Sequence, residues 1–141
     1  MQVNPYLSYN GQCEAAFAFY ARCLGGQVGA IFHYGGSPQA GDVPADWQDK
    51  VMHASVTIGD QVLMGGDIAP ERYEAPTGFS LSINLKDVAE ADRIFRELGS
   101  EGRVVLPLEP TFWAARFGML VDRFGIPWMI NCEGEGTGVQ S

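Results

Sequence analysis

The 141-residue chain holds two histidines, His33 and His53. Any chemistry that needs an imidazole must use one of them. His53 sits in the alternating run KVMHASVTI, where His53, Ser55 and Thr57 share one face of an extended segment. On such a face a histidine can act as a general base, bind a ligand oxygen, or order the sheet through a hydrogen bond. Asp49 lies four residues earlier and could orient His53 only if the chain turns between them. Ser55 shares the strand with His53, but no GxSxG turn presents a nucleophile. His33 lies beside a Gly-rich loop. Asp42, Asp46 and Asp49 surround Trp47; this acidic group reads as a solvated loop, or as a source of a replacement metal ligand. Near the C-terminal end, TFWAARFGMLVDRFGIPWMINCE brings Thr111, Trp113, Arg116 and Phe117 close together. A Trp followed by Arg and Phe can cap a flat ligand by stacking, or anchor a core or an interface.

The elements that must position these side chains are legible from periodicity. VNPYLSYN reads as a strand ending at Asn10-Gly11. Cys13 to Leu24 repeats apolar residues at helical spacing and stops at Gly25-Gly26. Gln27 to Tyr34 reads as a strand, and the Gly-, Pro- and Asp-rich segment from Gly35 to Asp46 as an exposed loop. Lys50 to Ile58 and Gln61 to Met64 make a hairpin about Gly59-Asp60, followed by a loop from Asp67 to Thr77. Phe79, Leu81, Ile83 and Leu85 alternate with Ser80, Ser82, Asn84 and Lys86, which predicts a half-buried strand with Ser80, Ser82 and Asn84 on its polar face. Asp87 is placed to cap a helix from Val88 to Leu98. Arg103 to Leu108 is another strand, and a last hairpin turns at Phe124-Gly125. Trp128 and Met129 are expected in the core.

Composition bounds the function. The net charge is −8 and the pI near 4.5, a field that repels nucleic acid. No apolar run reaches the ~20 residues of a membrane span, and the N-terminus lacks a signal-peptide pattern. Cys13, Cys23 and Cys132 are odd in number and widely spaced, which predicts reduced thiols and a cytoplasmic setting.

The element order strand–helix–three strands occurs twice. A shift of 75 carries Ala16 onto Ala91 and Tyr20 onto Phe95; a shift of 66 carries Gly59 onto Gly125. The expected fold class is therefore α+β, with two βαβββ modules of about residues 1–67 and 77–133. These would form a curved mixed sheet with a concave cup, in one domain over 1–133 with a disordered tail at 134–141.

The stretches NPYLSYNGQCEAAFAFY, DWQDKVMHASVTIGDQVLM, GFSLSINL and FWAARFGMLVDRFGIPWMINCE resemble the vicinal oxygen chelate superfamily of glyoxalase, bleomycin resistance and extradiol dioxygenase proteins, and within it the PhnB-like branch. The resemblance implies the glyoxalase/bleomycin resistance fold and a homodimer. It also implies where a divalent ion would be held in metal-using members: by four side chains, usually His and Glu, from the first and last strand of each module. The matching positions by the repeat alignment are Pro5, Leu63, Ser80 and Met129, which offer no His/Glu set. A slip of one or two residues brings in Asn4, Tyr6 or Asn131 and does not restore one. Relatives in this branch carry the name of a ubiquinone-pathway methyltransferase, but the chain has no Gly-rich strand–turn–helix loop of the dinucleotide or adenosylmethionine kind.

The expected function is metal-free binding of a small organic molecule in the cup, with no cofactor and with neither nucleic acid nor a membrane as partner. The candidate ligand-binding residues are His53, Ser55, Ser80, Ser82, Thr111, Trp113, Arg116 and Phe117. Two other readings compete. One is a metal-dependent lyase or dioxygenase with a site rebuilt from His53 and Asp49 or Asp67. The other is a structural interaction domain.

Overall fold

The computed structural model describes residues 1–134. The tail expectation therefore lies largely outside the described residues. The chain divides into two compact units, Met1–Glu74 and a second that begins at Ala75. Each unit is a βαβββ module.

The first module runs β1 (Tyr6–Tyr9), α1 (Cys13–Leu24), β2 (Gln27–His33), β3 (Val51–Ile58) and β4 (Gln61–Asp67). Its sheet order is β1-β4-β3-β2, with β1 parallel to β4 and the other pairs antiparallel. The second runs β5 (Leu81–Leu85), α2 (Val88–Leu98), β6 (Arg103–Glu109), β7 (Arg116–Val121) and β8 (Pro127–Cys132), in the equivalent order β5-β8-β7-β6. Parallel pairing of the first and last strands needs a long connection between them, which in each module consists of the helix and two further strands.

Packing fixes which face of each sheet meets its helix. In α1, Cys13, Ala16, Phe17, Phe19, Tyr20 and Cys23 are buried. Phe17 meets the Tyr9 ring edge-on at 6.0 Å, and the Tyr9 and Tyr20 hydroxyls are hydrogen-bonded at 3.1 Å. Leu7, Ala54, Val56 and Leu63 are buried on the same side. Gly65 lies there too; a Cβ on it would stand 2.9 Å from Phe17 and 2.5 Å from the Leu7 carbonyl oxygen. The missing side chain lets helix and sheet approach closely. Gly25 ends α1 in the left-handed conformation, φ 71°. In the second module Ala91, Ile94 and Leu98 of α2 are buried, as are Gly118, Leu120, Trp128, Ile130 and Cys132. The Asp87 side chain caps α2 by accepting the Ala89 N–H at 3.0 Å.

Several bounds differ from expectation. β1 is shorter than VNPYLSYN because Pro5 has no N–H to give and Asn4 turns its side-chain amide to the Val62 carbonyl. β4 continues past Met64 through Gly65 and Gly66 to Asp67, because the parallel pairing Leu7↔Gly65, Ser8↔Gly66 and Tyr9↔Asp67 sustains it. β5 begins at Leu81; Phe79 and Ser80 precede it, and Phe79 is exposed. Trp128 is buried as expected, whereas Met129 is only half-buried. The loop after β2 is tied back by the Gly35 N–H to the Gln48 carbonyl at 2.7 Å and by buried Trp47.

Candidate functional site

The face of each sheet turned away from its helix carries most of the candidate residues. Strand parity in β1 settles the first module: Leu7 and Tyr9 go to α1, so Tyr6 and Ser8 go the other way. Tyr6 pairs with Met64, and Met64 with Ser55. Phe32 pairs with His53. The Tyr6 and His53 rings meet at 5.7 Å, tilted by 31°. Tyr6 and Phe32 are both about half exposed, at 51% and 55%. The Tyr6 hydroxyl donates a long hydrogen bond, 3.4 Å, to the Met52 carbonyl. Burial raises the Tyr6 phenol above its usual pKa, and Cys13 and Tyr34 add to the shift. Among the described residues neither nitrogen of His53 is hydrogen-bonded, and Ser55 Oγ is likewise without a partner. Among the described residues, then, no hydrogen bond of His53 orders the sheet, the structural role set against a functional one for it.

In the second module Ser82 pairs with Met129, and Asn84 with Asn131. Phe117 pairs with Asn131 on the next strand. Trp128, Ile130 and Cys132 are buried, so this row faces away from α2. Trp113 packs edge-on against Phe117 at 5.3 Å and against Phe112 at 4.8 Å. The Asn131 side-chain oxygen is buried and has no hydrogen-bond partner among the described residues.

Three candidate ligand residues, Arg116, Thr111 and Ser80, stand outside these strand faces. Arg116 pairs with Cys132 on the α2 side, and its guanidinium lies 3.4 Å from Asp92 of α2, so it leaves the ring cluster. Thr111 spends its hydroxyl in a turn, accepting the Ala114 N–H at 3.1 Å and the Trp113 N–H at 3.3 Å. Ser80 lies before β5, and Met129 pairs with Ser82 instead. Leu63, with Pro5 as its counterpart, is on the α1 side. The repeat alignment put these positions out of parity for a local reason. Gly59 and Asp60 separate the paired Ile58 and Gln61, whereas Arg123, Phe124 and Gly125 separate Asp122 and Ile126, which share a hydrogen bond. The second turn is one residue longer, so matching the two glycines shifts the last strand by one. The first- and last-strand neighbours facing away from the helices are Tyr6–Met64 and Ser8–Gly66 in one module and Ser82–Met129 and Asn84–Asn131 in the other, and none of them is a His or a Glu. A phenol, hydroxyls, thioethers and neutral amides do not make the His and Glu set that holds hard or borderline ions.

The carboxylates offered for a rebuilt metal site lie elsewhere. Asp67 is buried on the α1 side, opposite to His53, and is engaged. One oxygen accepts the Cys13 N–H and the other the Val51 N–H, both at 2.9 Å. Burial raises its pKa above the ordinary carboxylate value, against the lowering effect of those N–H donors and Lys50. Asp42, Asp46 and Asp49 are exposed, and His33 meets Glu14 at 3.2 Å. Among the described residues no three of His, Cys, Asp and Glu stand together to hold a metal ion. An open cleft of about 440 Å³ lies beside the start of α1, between Gln12, Glu14, Asp49, Lys50 and Asp67.

Sequence reasoning did not assign Tyr6, Phe32 and Asn131 to these outward faces. In YLSY both parities carry an aromatic residue, so hydrophobic alternation could not choose a face. The parallel pairing with β4 does.

Residues 1–131 match the family described as 3-demethylubiquinone-9 3-methyltransferase. The chain belongs to that family. It is 34% identical to Protein YjdN of Escherichia coli (strain K12) over 139 residues, covering 93% of this chain and 95% of that one. Among solved structures it resembles protein PA1353 from Pseudomonas aeruginosa, with 48% identity, a TM-score of 0.86, and coverage of 96% and 99%. A putative 3-demethylubiquinone-9 3-methyltransferase, PhnB protein, from Bacillus cereus superposes with a TM-score of 0.80 at 22% identity, covering 94% and 99%. At that identity the likeness is one of fold. A glyoxalase/bleomycin resistance protein/dioxygenase family enzyme from Burkholderia phytofirmans shares the fold at a TM-score of 0.62 and 11% identity, covering 91% and 94%. The fold is thus the glyoxalase/bleomycin resistance fold in its PhnB-like form, as the resemblance implied. No helix among the described residues is long and apolar enough to cross a membrane.

Proposed function

We propose that this PhnB-like protein binds a small organic molecule on the sheet faces turned away from its helices, without a His/Glu metal centre. The observation that carries the reading is the pair of neighbours at the first and last strands, Tyr6–Met64 and Ser82–Met129. Where metal-using members of the superfamily place carboxylates and imidazoles, these positions offer rings, thioethers and a hydroxyl. Exposed aromatic surface beside a few neutral polar groups favours a ligand with an apolar body.

The family description names methyl transfer, and the reading does not extend to that reaction. The β1–α1 connection, Asn10-Gly11-Gln12, holds a single glycine and is not an adenosylmethionine-type loop. A cytoplasmic setting and a homodimer with two ligand sites accompany the proposal, on the strength of the reduced thiols and of the resemblance.

The test is metal content by elemental mass spectrometry on untagged protein purified without chelators, followed by stripping and reloading. Less than about a tenth of an ion per chain, with no return of metal, is the expected result. A full equivalent that returns after stripping would overturn the reading in favour of a lyase or dioxygenase. A thermal-shift screen of small organic molecules should then find stabilising ligands, since saturation at 100 times Kd is worth about 2.7 kcal/mol.

A further inference from the structure

The first module carries an arrangement that narrows the ligand class. Tyr6, His53 and Phe32 form a row of three rings across the sheet, with the imidazole in the middle. The outer two are about half exposed, although burying an aromatic ring is among the larger apolar gains open to a fold. Two strand glycines clear space around this row. A Cβ on Gly66 would stand 3.0 Å from the Tyr6 hydroxyl oxygen and 2.6 Å from the Met52 carbonyl oxygen. A Cβ on Gly29 would stand 2.6 Å from Ser55 Oγ. Glycine inside a strand costs stability and marks places where something approaches the backbone closely. Here it lets the Tyr6 side chain reach across β4 and leaves Ser55 uncovered.

The polar groups of this face are uncommitted. Neither His53 nitrogen nor Ser55 Oγ has a hydrogen-bond partner among the described residues. Being two apart on one strand, they lie about 7 Å from each other. The strands of this sheet, YLSY, QVGAIFH, VMHASVTI and QVLMGGD, carry no Lys or Arg. The chain as a whole bears a charge of −8. These strands offer an anionic ligand no Lys or Arg to offset that repulsion, whereas an imidazole nitrogen that carries no proton accepts from an O–H donor.

We infer that the Tyr6–His53–Phe32 face binds a neutral planar ring bearing a hydroxyl group, stacked on the aromatic side chains and donating its O–H to His53. This rests on the small-molecule reading above and names the ligand class. The probe is 2-naphthol, compared with 2-naphthoate as the anion and decahydro-2-naphthol as the saturated analogue. Binding is followed at neutral pH by nuclear magnetic resonance of backbone amides and of the histidine ring nitrogens.

2-Naphthol should shift the His53 ring nitrogens and the amides of β2 and β3, with the two analogues at least tenfold weaker. His53→Phe keeps a ring against Tyr6 and removes the acceptor; it should weaken 2-naphthol about tenfold and leave the other amides in place. If that variant does not fold, the wild-type ring-nitrogen shifts decide alone. Equal binding of all three compounds, or shifts confined to Trp113 and Phe117, would overturn the inference while leaving small-molecule binding standing. Returning stoichiometric metal would instead sink the metal-free reading, whatever 2-naphthol does.

Discussion

Asp67 and Cys13 are joined at 2.9 Å, the carboxylate of one receiving the backbone N–H of the other at the first turn of α1. The second carboxylate oxygen takes the Val51 N–H at the start of β3, also at 2.9 Å. The last residue of β4 thus satisfies an orphan donor of the helix and one of the neighbouring strand. It does for α1 what Asp87 does for α2, from far away in sequence. Asp67→Ala strands these buried donors and should cost about 3 kcal/mol of stability. Asp67→Asn keeps one acceptor and should cost less. Urea unfolding of both variants checks the order; equal, small losses would show that water replaces the carboxylate freely.

The same carboxylate gives stability a pH dependence of defined sign. Burial raises the folded pKa of Asp67 above its ordinary value, so between the two values the folded state binds more protons than the unfolded. Its contribution is fully present below the ordinary carboxylate pKa of about 3.9 and is lost as pH rises through the raised folded value. Relative to Asp67→Asn, the natural protein should therefore lose stability as the pH is raised out of the carboxylate range. Unfolding curves of both proteins across that range measure the difference. A difference that grows in favour of the natural protein on raising the pH would mean that the N–H donors outweigh burial.

All three cysteines are buried, and the Cys13 thiol is pushed up to about 12, by burial first and then by Asp67 and Glu14. A thiol held in that form is a poor nucleophile. In native protein at pH 8, a disulfide reagent should find no fast-reacting thiol among Cys13, Cys23 and Cys132. All three should titrate at once in denaturant. A fast Cys13 in the native state, identified by mass spectrometry of the labelled peptide, would show that the first turn of α1 opens readily.

These predictions draw on features that differ in how far the sequence revealed them. The strand alternation of Leu81 to Leu85, the helix with its Asp87 cap, and the glycine turns are local patterns, and they are where the chain put them. The repeat was legible because both modules bury equivalent helix residues such as Ala16 and Ala91. What stayed hidden depends on partners distant in sequence. The face of Tyr6 follows from its pairing with Met64, the side of Arg116 from Asp92, and the burial of Asp67 from Cys13 and Val51. A one-residue difference between two turns was enough to misplace Leu63, because parity in a strand has a period of two.

Trp113 and Trp128 should respond oppositely to truncation. Trp128 is 3% exposed and donates its indole N–H to Asp122 at 2.9 Å, and Asp122 also takes the N–H groups of Phe124 and Ile126. Trp128→Ala opens a cavity and disturbs the acceptor of that turn, which should cost about 3–5 kcal/mol. Trp113 is 41% exposed and touches Phe112 and Phe117 at its ring edges, outside any strand. Trp113→Ala should cost about 1 kcal/mol or less. If the second module contributes to the ligand site, the same change should weaken binding of a screened ligand by more than that. Denaturation and ligand titration on the same preparations separate the two effects. A Trp113→Ala protein that loses folding and binding together would assign the ring to structure, and the ligand contacts would then rest on the first module.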